Sequence, residues 1–492
     1  MQQPTKNRQA HRYAHIELSP IQSQAYDKIL DWFHSADPYD NKFTLMGFAG
    51  TGKSLLTAMI TEYVLSNTNL TVGLASPTHK AVEVTRNFIS HGGSIDSNLV
   101  IGTIHSLMGL TQRITSTGKQ IFVSSKTPEH KIKNVDLLIL DESSMLSSQL
   151  FLGKPSKYGG IVGLLELQAK FNFKILFVGD PAQIPPVGET QAMPMDEAAQ
   201  QDMGIKSFTL TEIHRQAADS PIIRASMSIR NSLFRPTQFP RFEEDASFED
   251  VLDSETSGIS FLTPRTRQNH ADFLNSCLKS WFTDTRFEDS ADFAKVIAYR
   301  NATVFALNKK IRGYRYPNST NKIEIGEKLV TFAPFVRTDP TTNVSHTLLQ
   351  NNEGITVKGF EVISRNFDGA DLKIYWTKVE SDKGESLMLP IIHEDSQEDL
   401  DLILEHFVSL AKEKNIPAFE AADRWRSFYK FKEYFAAVGY NYAITAHKSQ
   451  GSTYVNTAIM VEDIMINRKV EERNRILYTA VTRPSHKLLL IK

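Results

Sequence analysis

Two patterns alternate along the first half of the chain. Short apolar runs occur at Phe43–Met46, Val72–Ala75, Val135–Leu140 and Lys174–Val178. Longer stretches between them, such as Leu55–Val64, carry apolar residues at helical spacing. A strand that is apolar at successive positions is covered on both faces. The alternation therefore predicts βαβ units around a parallel sheet. A polar segment from about Gly109 to Lys133 interrupts it. Within that segment Thr111–Thr115 and Gln120–Ser124 flank Ser116-Thr117-Gly118-Lys119, which predicts a hairpin.

A second α/β pattern starts near Pro221. Pro221–Asn231 reads as a helix, and the strand Lys295–Tyr299 leads into a helix over Asn301–Arg312. Tyr442–Thr445, Thr457–Val461 and Lys487–Ile491 continue the strands. Between them, Glu327–Val336 and Ile355–Glu380 have strand character, broken at Asn351-Asn352-Glu353-Gly354 and Asp368-Gly369. An acidic stretch, Glu394–Glu405, opens a helical pair that runs to Phe435. The expected fold class is α/β: two parallel-sheet cores in tandem, with a hairpin insertion in the first and a β-rich plus helical insertion in the second. The expected boundaries are 1–108 with 134–216 for the first core and 109–133 for its hairpin. They are 217–326 with 436–492 for the second core and 327–435 for its insertion.

Composition narrows the function classes. At about 150 residues per domain, 492 residues suggest roughly three domains. Hydrophobic residues at 41% and charged residues at 23% are those of an ordinary soluble globular chain. The single cysteine, Cys277, excludes an internal disulfide framework and a thiolate zinc site. No apolar run approaches the roughly 18 residues that would span a bilayer, and Met1–His15 lacks an apolar signal core. No membrane association is expected, and a cytoplasmic setting is. The net charge of −1 points to no partner by itself. It is expected to average a cationic stretch, Lys295–Arg312, with acidic helices such as Glu394–Glu405.

The chemistry lies at three strand ends. Gly47-Phe48-Ala49-Gly50-Thr51-Gly52-Lys53-Ser54 matches G-x-x-x-x-G-K-[ST], after a strand and before an apolar helix. Such a loop wraps phosphate with backbone N–H groups at a helix N-terminus. Lys53 would reach the β- and γ-phosphates of ATP, and the Ser54 hydroxyl would ligate Mg²⁺. The second strand ends in Asp141-Glu142. Asp141 would hold Mg²⁺, and Glu142 would orient and deprotonate an attacking water. An acidic pair in such a place can also be a solvated surface pair. The third strand ends in Gly179-Asp180-Pro181-Ala182-Gln183. Gln183 could report a γ-phosphate by hydrogen bonding, or be a solvated side chain in a Pro-rich loop.

These three strand ends, in this order, resemble those of a superfamily 1 helicase. Leu18-Ser19-Pro20-Ile21-Gln22 resembles the family's adenine-reading Q motif, with Gln22 in the glutamine position. Ala75-Ser76-Pro77-Thr78-His79-Lys80-Ala81 and Gly102-Thr103-Ile104-His105-Ser106 resemble motifs Ia and Ib. Asp141-Glu142-Ser143-Ser144-Met145 is similar to motif II, and Gly179–Gln183 to motif III. Leu210-Thr211-Glu212-Ile213-His214-Arg215 resembles the segment ending in an arginine finger. Tyr442–Thr453, which contains Thr445-Ala446-His447-Lys448-Ser449-Gln450-Gly451, is similar to motif V. Leu477-Tyr478-Thr479-Ala480-Val481-Thr482-Arg483 is similar to motif VI, here followed by Pro484. The likeness is to the Dda and RecD branch, whose members translocate 5′→3′. It is strong across both cores and weak from about Thr331 to Tyr434.

The resemblance implies RecA-like cores and an ATP site that includes Gln22, Gly47, Gly50, Thr51, Gly52 and Gly451. It also implies that Arg215 and Arg483 reach the γ-phosphate from opposite lobes, so that ATP binding closes a cleft and hydrolysis opens it. Single-stranded DNA and junctions with duplex DNA are the implied partners. A single chain with both cores could act as a monomer, in a bacterium or in a virus within a bacterial host. The implied track for the strand comprises Pro77, Thr78, His79, Lys80, His105, Arg300, Asn301, Thr445, His447 and Lys448. Small hydroxyls, amides and a few cations suit a sugar–phosphate backbone, which they hold without reading bases. Phe122 in the hairpin is a candidate wedge against the duplex end, and the same residue fits a hairpin core. The β-rich insertion occupies the place of the branch's SH3-like subdomain. Aromatic side chains would stack on bases, and the sequence does not single out which. A remodelling ATPase that displaces proteins without opening duplexes would carry the same motor motifs, as would an RNA helicase.

Overall fold

The apolar runs pair as parallel strands. The computed structural model describes residues 13, 16–90, 97–114, 120–124, 130–148, 160–213, 220–233, 258–262, 267–338, 345–367 and 369–491. The chain divides into two compact units, Met1–Thr111 with Phe122–Leu233, and Gln112–Ile121 with Phe234–Lys492. In chain order the first strands are β1 (Lys42–Gly47), β2 (Val72–Ser76), β3 (Leu99–Thr103), β4 (Leu110–Ile114), β5 (Gln120–Ser124), β6 (Leu137–Leu140), β7 (Lys174–Gly179) and β8 (Lys206–Leu210). Six of them form one sheet in the order β3-β2-β6-β7-β1-β8, with every pair parallel. β4 and β5 form the expected two-stranded hairpin sheet.

The centre of this sheet shows why apolar runs make strands here. Side chains alternate across a strand. Leu137 and Ile139 enter a core with Ile29, Leu56 and Ile60 on one face. Leu138 and Leu140 enter another with Ile161, Leu164 and Leu167 on the opposite face. All four are fully buried, and each such burial contributes about 1.5–3 kcal/mol. The edge strand β8 has no equivalent apolar run, and the short run in β3 is less buried. Four residues of β3 are half-buried, and β8 begins with exposed Lys206 and Ser207.

The second unit opens with β9 (Gly258–Leu262) and β10 (Ala294–Ala298). Its insertion follows: β11 (Lys328–Thr331), β12 (Phe335–Thr338), β13 (Ser345–Leu349), β14 (Gly354–Phe367), β15 (Ala370–Ser381), β16 (Ser386–Ile392) and β17 (Val438–Tyr440). It returns to β18 (Ala443–Thr445), β19 (Tyr454–Met460) and β20 (Pro484–Ile491). The core sheet is again parallel, in the order β18-β10-β19-β20-β9. The insertion is an antiparallel sheet in the order β16-β15-β14-β11-β17, with a separate β12-β13 hairpin. The acidic stretch leads into two helices, Gln397–Ala411 and Ala418–Lys432, joined through Ala411, Trp425 and Phe428.

Two boundaries differ from the sequence reading. The helix Pro221–Leu233 is grouped with the first unit, where its Arg230 guanidinium lies 4.1 Å from the Phe48 ring centroid. The insertion also extends past 435, because β17 pairs with β11. Among the described residues, no helix is long and apolar enough to cross a membrane.

A buried ion pair joins the insertion to the parallel-sheet part of the second unit. Glu327, fully buried just before β11, accepts from Arg312 Nε at 2.8 Å, Tyr442 Oη at 3.2 Å and the Glu324 N–H at 2.9 Å. Burial pushes its carboxyl up, and Arg312 opposes that shift. Removing one partner leaves the other charge buried and unpaired. Glu327→Ala should therefore lower unfolding free energy by about 3–5 kcal/mol. A urea titration followed by circular dichroism checks this, and an unchanged midpoint would show that the pair contributes nothing.

Candidate nucleotide site and nucleic-acid track

The phosphate loop is built by β1 ending at Gly47 and the helix Lys53–Asn67 beginning six residues later. Gly50 and Gly52 have φ of 79° and 91°, the left-handed region that glycine adopts at no steric cost. At Gly52 a side chain would also collide with the Gln22 amide. Thr51 Oγ1 donates to the Phe48 carbonyl at 2.8 Å. Lys53 Nζ donates to the carbonyls of Gly47 at 2.7 Å and Phe48 at 3.0 Å. The ammonium is thus held across the loop, where an anionic phosphate oxygen would be a stronger acceptor. Ser54 is exposed in the first turn of the helix.

Gln22 is buried and does two jobs. It completes a capping box with Ser19 at the start of the helix Pro20–Phe33, its Oε1 accepting from the Ser19 N–H at 3.0 Å. Its Nε2 donates to the Thr51 carbonyl at 3.0 Å, which fastens that helix to the phosphate loop.

Asp141 follows β6 directly. Its Oδ1 accepts from the Glu142 N–H at 2.8 Å and its Oδ2 from Thr85 Oγ1 at 3.3 Å. Burial pushes its carboxyl up, while the Glu142 N–H, the Lys53 charge and Thr85 act in the opposite sense. Glu142 has φ 52° and ψ 34°. A non-glycine residue in that region costs on the order of 1–3 kcal/mol and is concentrated at functional sites. The Ser143 hydroxyl donates to the Val178 carbonyl at 2.8 Å, tying this strand end to the next. There Asp180 is buried and its Oδ1 accepts from the Ala182 N–H at 2.9 Å, while the Gln183 N–H donates to the Asp180 carbonyl. Gln183 is buried on that turn.

In the second unit, Gly451 has φ 70°. Arg483 is buried and donates to the carbonyls of Thr479 at 2.8 Å and Ser452 at 3.1 Å, and to Thr482 Oγ1 at 2.9 Å. Pro484, which opens β20, leaves this anchoring in place. Arg215 and His214 lie outside the described residues. Phe122 falls in β5, and its side chain lies outside them as well.

In each unit the residues expected to form the track lie at strand ends. Ser76 pairs with Thr103 in register, so Pro77–Lys80 and His105 follow neighbouring strands of the first unit. Burial lowers the His105 pKa and favours the neutral ring. Ala298 pairs with Thr445, so Arg300 and Asn301 neighbour His447 and Lys448 in the second unit. The Tyr299 and His447 rings lie 6.3 Å apart, and burial lowers the His447 pKa too. Lys448 is exposed.

The expected cationic stretch is corrected here. Lys295 is buried and donates to the Asn441 carbonyl and Oδ1. Arg312 is paired with Glu327. Arg300 binds Asp463, which accepts four hydrogen bonds, from Tyr299 N, Arg300 N, Arg300 Nε and Thr303 Oγ1. Only Lys309 and Lys310 of the five cations are exposed without such a carboxylate or buried partner. Lys295 and Arg312 are thus turned inward, whereas Arg300 keeps 51% of its side chain exposed beside Asp463. Thr85, Arg230 and Asp463 carry no sequence motif and were absent from the sequence reading.

Residues 17–238 match the family model of an AAA domain, and residues 440–491 that of a UvrD-like helicase C-terminal domain. The chain is 26% identical to uncharacterized protein R530 of Acanthamoeba polyphaga mimivirus, covering 91% of this chain and 94% of that one. It is 25% identical to the ATP-dependent DNA helicase Dda of Enterobacteria phage T4, covering 89% of this chain and 92% of that one. A Pif1 helicase from Bacteroides, solved with ADP-AlF3 and single-stranded DNA, overlays with a TM-score of 0.43 at 16% identity, covering 96% of this chain and 92% of that one. The family matches at both ends, the ordered motifs between them and the likeness to Dda along most of both chains make this chain similar to superfamily 1 helicases of the Dda and Pif1 type.

Proposed function

We propose that the chain is an ATP-dependent DNA helicase that moves 5′→3′ along a single strand and opens duplex DNA, driven by Mg-ATP hydrolysis. The observation that carries the reading is the phosphate loop, with Lys53 held across it and the strained Glu142 beside Asp141 in the same sheet. Lys53 takes the β- and γ-phosphates. Ser54 and Asp141 offer an oxygen-only donor set, which suits Mg²⁺. That ion, when bound with the nucleotide, neutralises phosphate charge. Glu142 accepts the proton of the attacking water. Arg215 and Arg483 are the cations assigned to the γ-phosphoryl oxygens, where charge accumulates during transfer. Gln183 is assigned to sensing the γ-phosphate.

The strand ends at Ser76–Lys80, His105, Arg300–Asn301 and Thr445–Lys448 offer hydroxyls, an amide and cations suited to a sugar–phosphate backbone. Support for DNA as the track comes from Dda, which is named as a DNA helicase. The chain is proposed to work as a monomer, in the soluble phase of a cell or an infected cell. ATP turnover measured with DNA and RNA homopolymers tests the choice of track. Stimulation by single-stranded DNA, well above that by RNA, is expected. Equal or greater stimulation by RNA would overturn the DNA assignment.

A further inference from the structure

We infer that Phe332 is a base-stacking platform on the nucleic-acid track, with Lys448 beside it to meet the neighbouring phosphate. This rests on the nucleic-acid reading above and adds to it the aromatic that the sequence did not identify.

Phe332 follows β11 directly, and its ring is 52% exposed. Single exposed apolar residues are common on protein surfaces and need no explanation. Three further observations set this one apart. First, the ring is seated rather than loose. Its edge rests on Gly439, where any Cβ would collide with the ring, and the Phe332 N–H donates to the Ala437 carbonyl at 2.7 Å. Second, the seat is made by β17, which pairs with β11 and runs within three residues into β18. β18 ends at Thr445, so the insertion's exposed aromatic is fixed to the strand end that carries Thr445, His447 and Lys448. Third, the Lys448 ammonium lies 4.8 Å from the Phe332 ring centroid.

A seated ring with a cation over it on a flexible four-carbon stem, able to swing aside for a base, offers the two contacts a single-stranded nucleotide needs. The ring presents a π-surface to the base, and the ammonium presents charge to the phosphate. Such a contact tolerates any base, because every base has a π-face. It also accounts for a ring left half in water. Folded into a core, the same ring would be buried; held on a glycine at the end of a strand, it stays available.

The test uses the full chain and a single-stranded oligodeoxynucleotide carrying 2-aminopurine, with binding read by fluorescence. Wild type should bind and quench the probe. Phe332→Ala and Phe332→Leu should each weaken binding by about thirtyfold, the middle of the range for one stacked base, and lose quenching at the stacked position. Phe332→Trp should bind within about twofold of wild type. ATP turnover without DNA should be the same in all four proteins, which reports that each has folded. If Phe332→Leu binds as wild type does, the ring serves only as apolar packing and the inference is overturned. Equal binding and quenching by Phe332→Ala would overturn it too, while leaving the helicase reading intact. Failure of wild type itself to bind the oligonucleotide would overturn the nucleic-acid reading, and this inference with it.

Discussion

Lys53→Ala should lower ATP turnover by at least about a hundred- to a thousandfold, the range for removing one preorganised donor from a transition state. Lys53 sits at the first position of its helix, with its ammonium held by the carbonyls of Gly47 and Phe48. Its aliphatic stem is half-buried, and alanine is a good helix former there. The loop shape is set by Gly50, Gly52 and the Thr51–Phe48 hydrogen bond, none of which the substitution touches. Fold and nucleic-acid binding should therefore persist while turnover disappears. Phosphate release measured with and without single-stranded DNA checks this. Residual turnover near the wild-type rate would show that another cation takes the phosphate.

Glu142→Gln should separate nucleotide binding from hydrolysis. The carboxylate is assigned to the water, and the phosphate contacts belong to other residues. Turnover should fall by about 10²–10⁴, the usual contribution of a general base, while ATP affinity stays within a few-fold. Glutamine has the same length and inherits the left-handed backbone at φ 52°, so the strain is carried over and stability should change little. A stable complex with unhydrolysed ATP, followed by filter binding, is the expected product. Wild-type hydrolysis by this variant would remove Glu142 from the mechanism and leave its backbone conformation without that explanation.

Much of the first core was legible in the sequence because its central strands are buried on both faces. Leu137–Leu140 alternates between two cores, so no polar position interrupts the run. The chemistry at the ends of those strands was legible for the same reason: Asp141 and Asp180 stand out where an apolar run stops. Edge strands were not. Lys206-Ser207-Phe208-Thr209-Leu210 forms β8 by pairing with β1, and its exposed residues give no apolar run. The partners of cations were also hidden. Lys295, Arg300 and Arg312 looked like a surface stripe, but Asn441 and Asp463 hold the first two from far along the chain and Glu327, 15 positions on, holds the third. The same limit hid Thr85, which bonds Asp141 across 56 positions. The edge of the second core was misplaced for a related reason. The helix at Pro221–Leu233 follows the motif ending in Arg215 and has an ordinary helical pattern. Only the fold shows Arg230 lying over Phe48 of the phosphate loop.

ATP hydrolysis at this loop is proposed to drive 5′→3′ strand separation. Unwinding of two otherwise identical DNA duplexes, one with a 5′ single-stranded tail and one with a 3′ tail, tests it most directly, with Lys53→Ala as the control. Wild type should separate the 5′-tailed duplex with ATP and the 3′-tailed duplex little, and Lys53→Ala should separate neither. Separation only from the 3′ tail would contradict the polarity. ATP turnover stimulated by single strands without opening either duplex would contradict the helicase assignment itself.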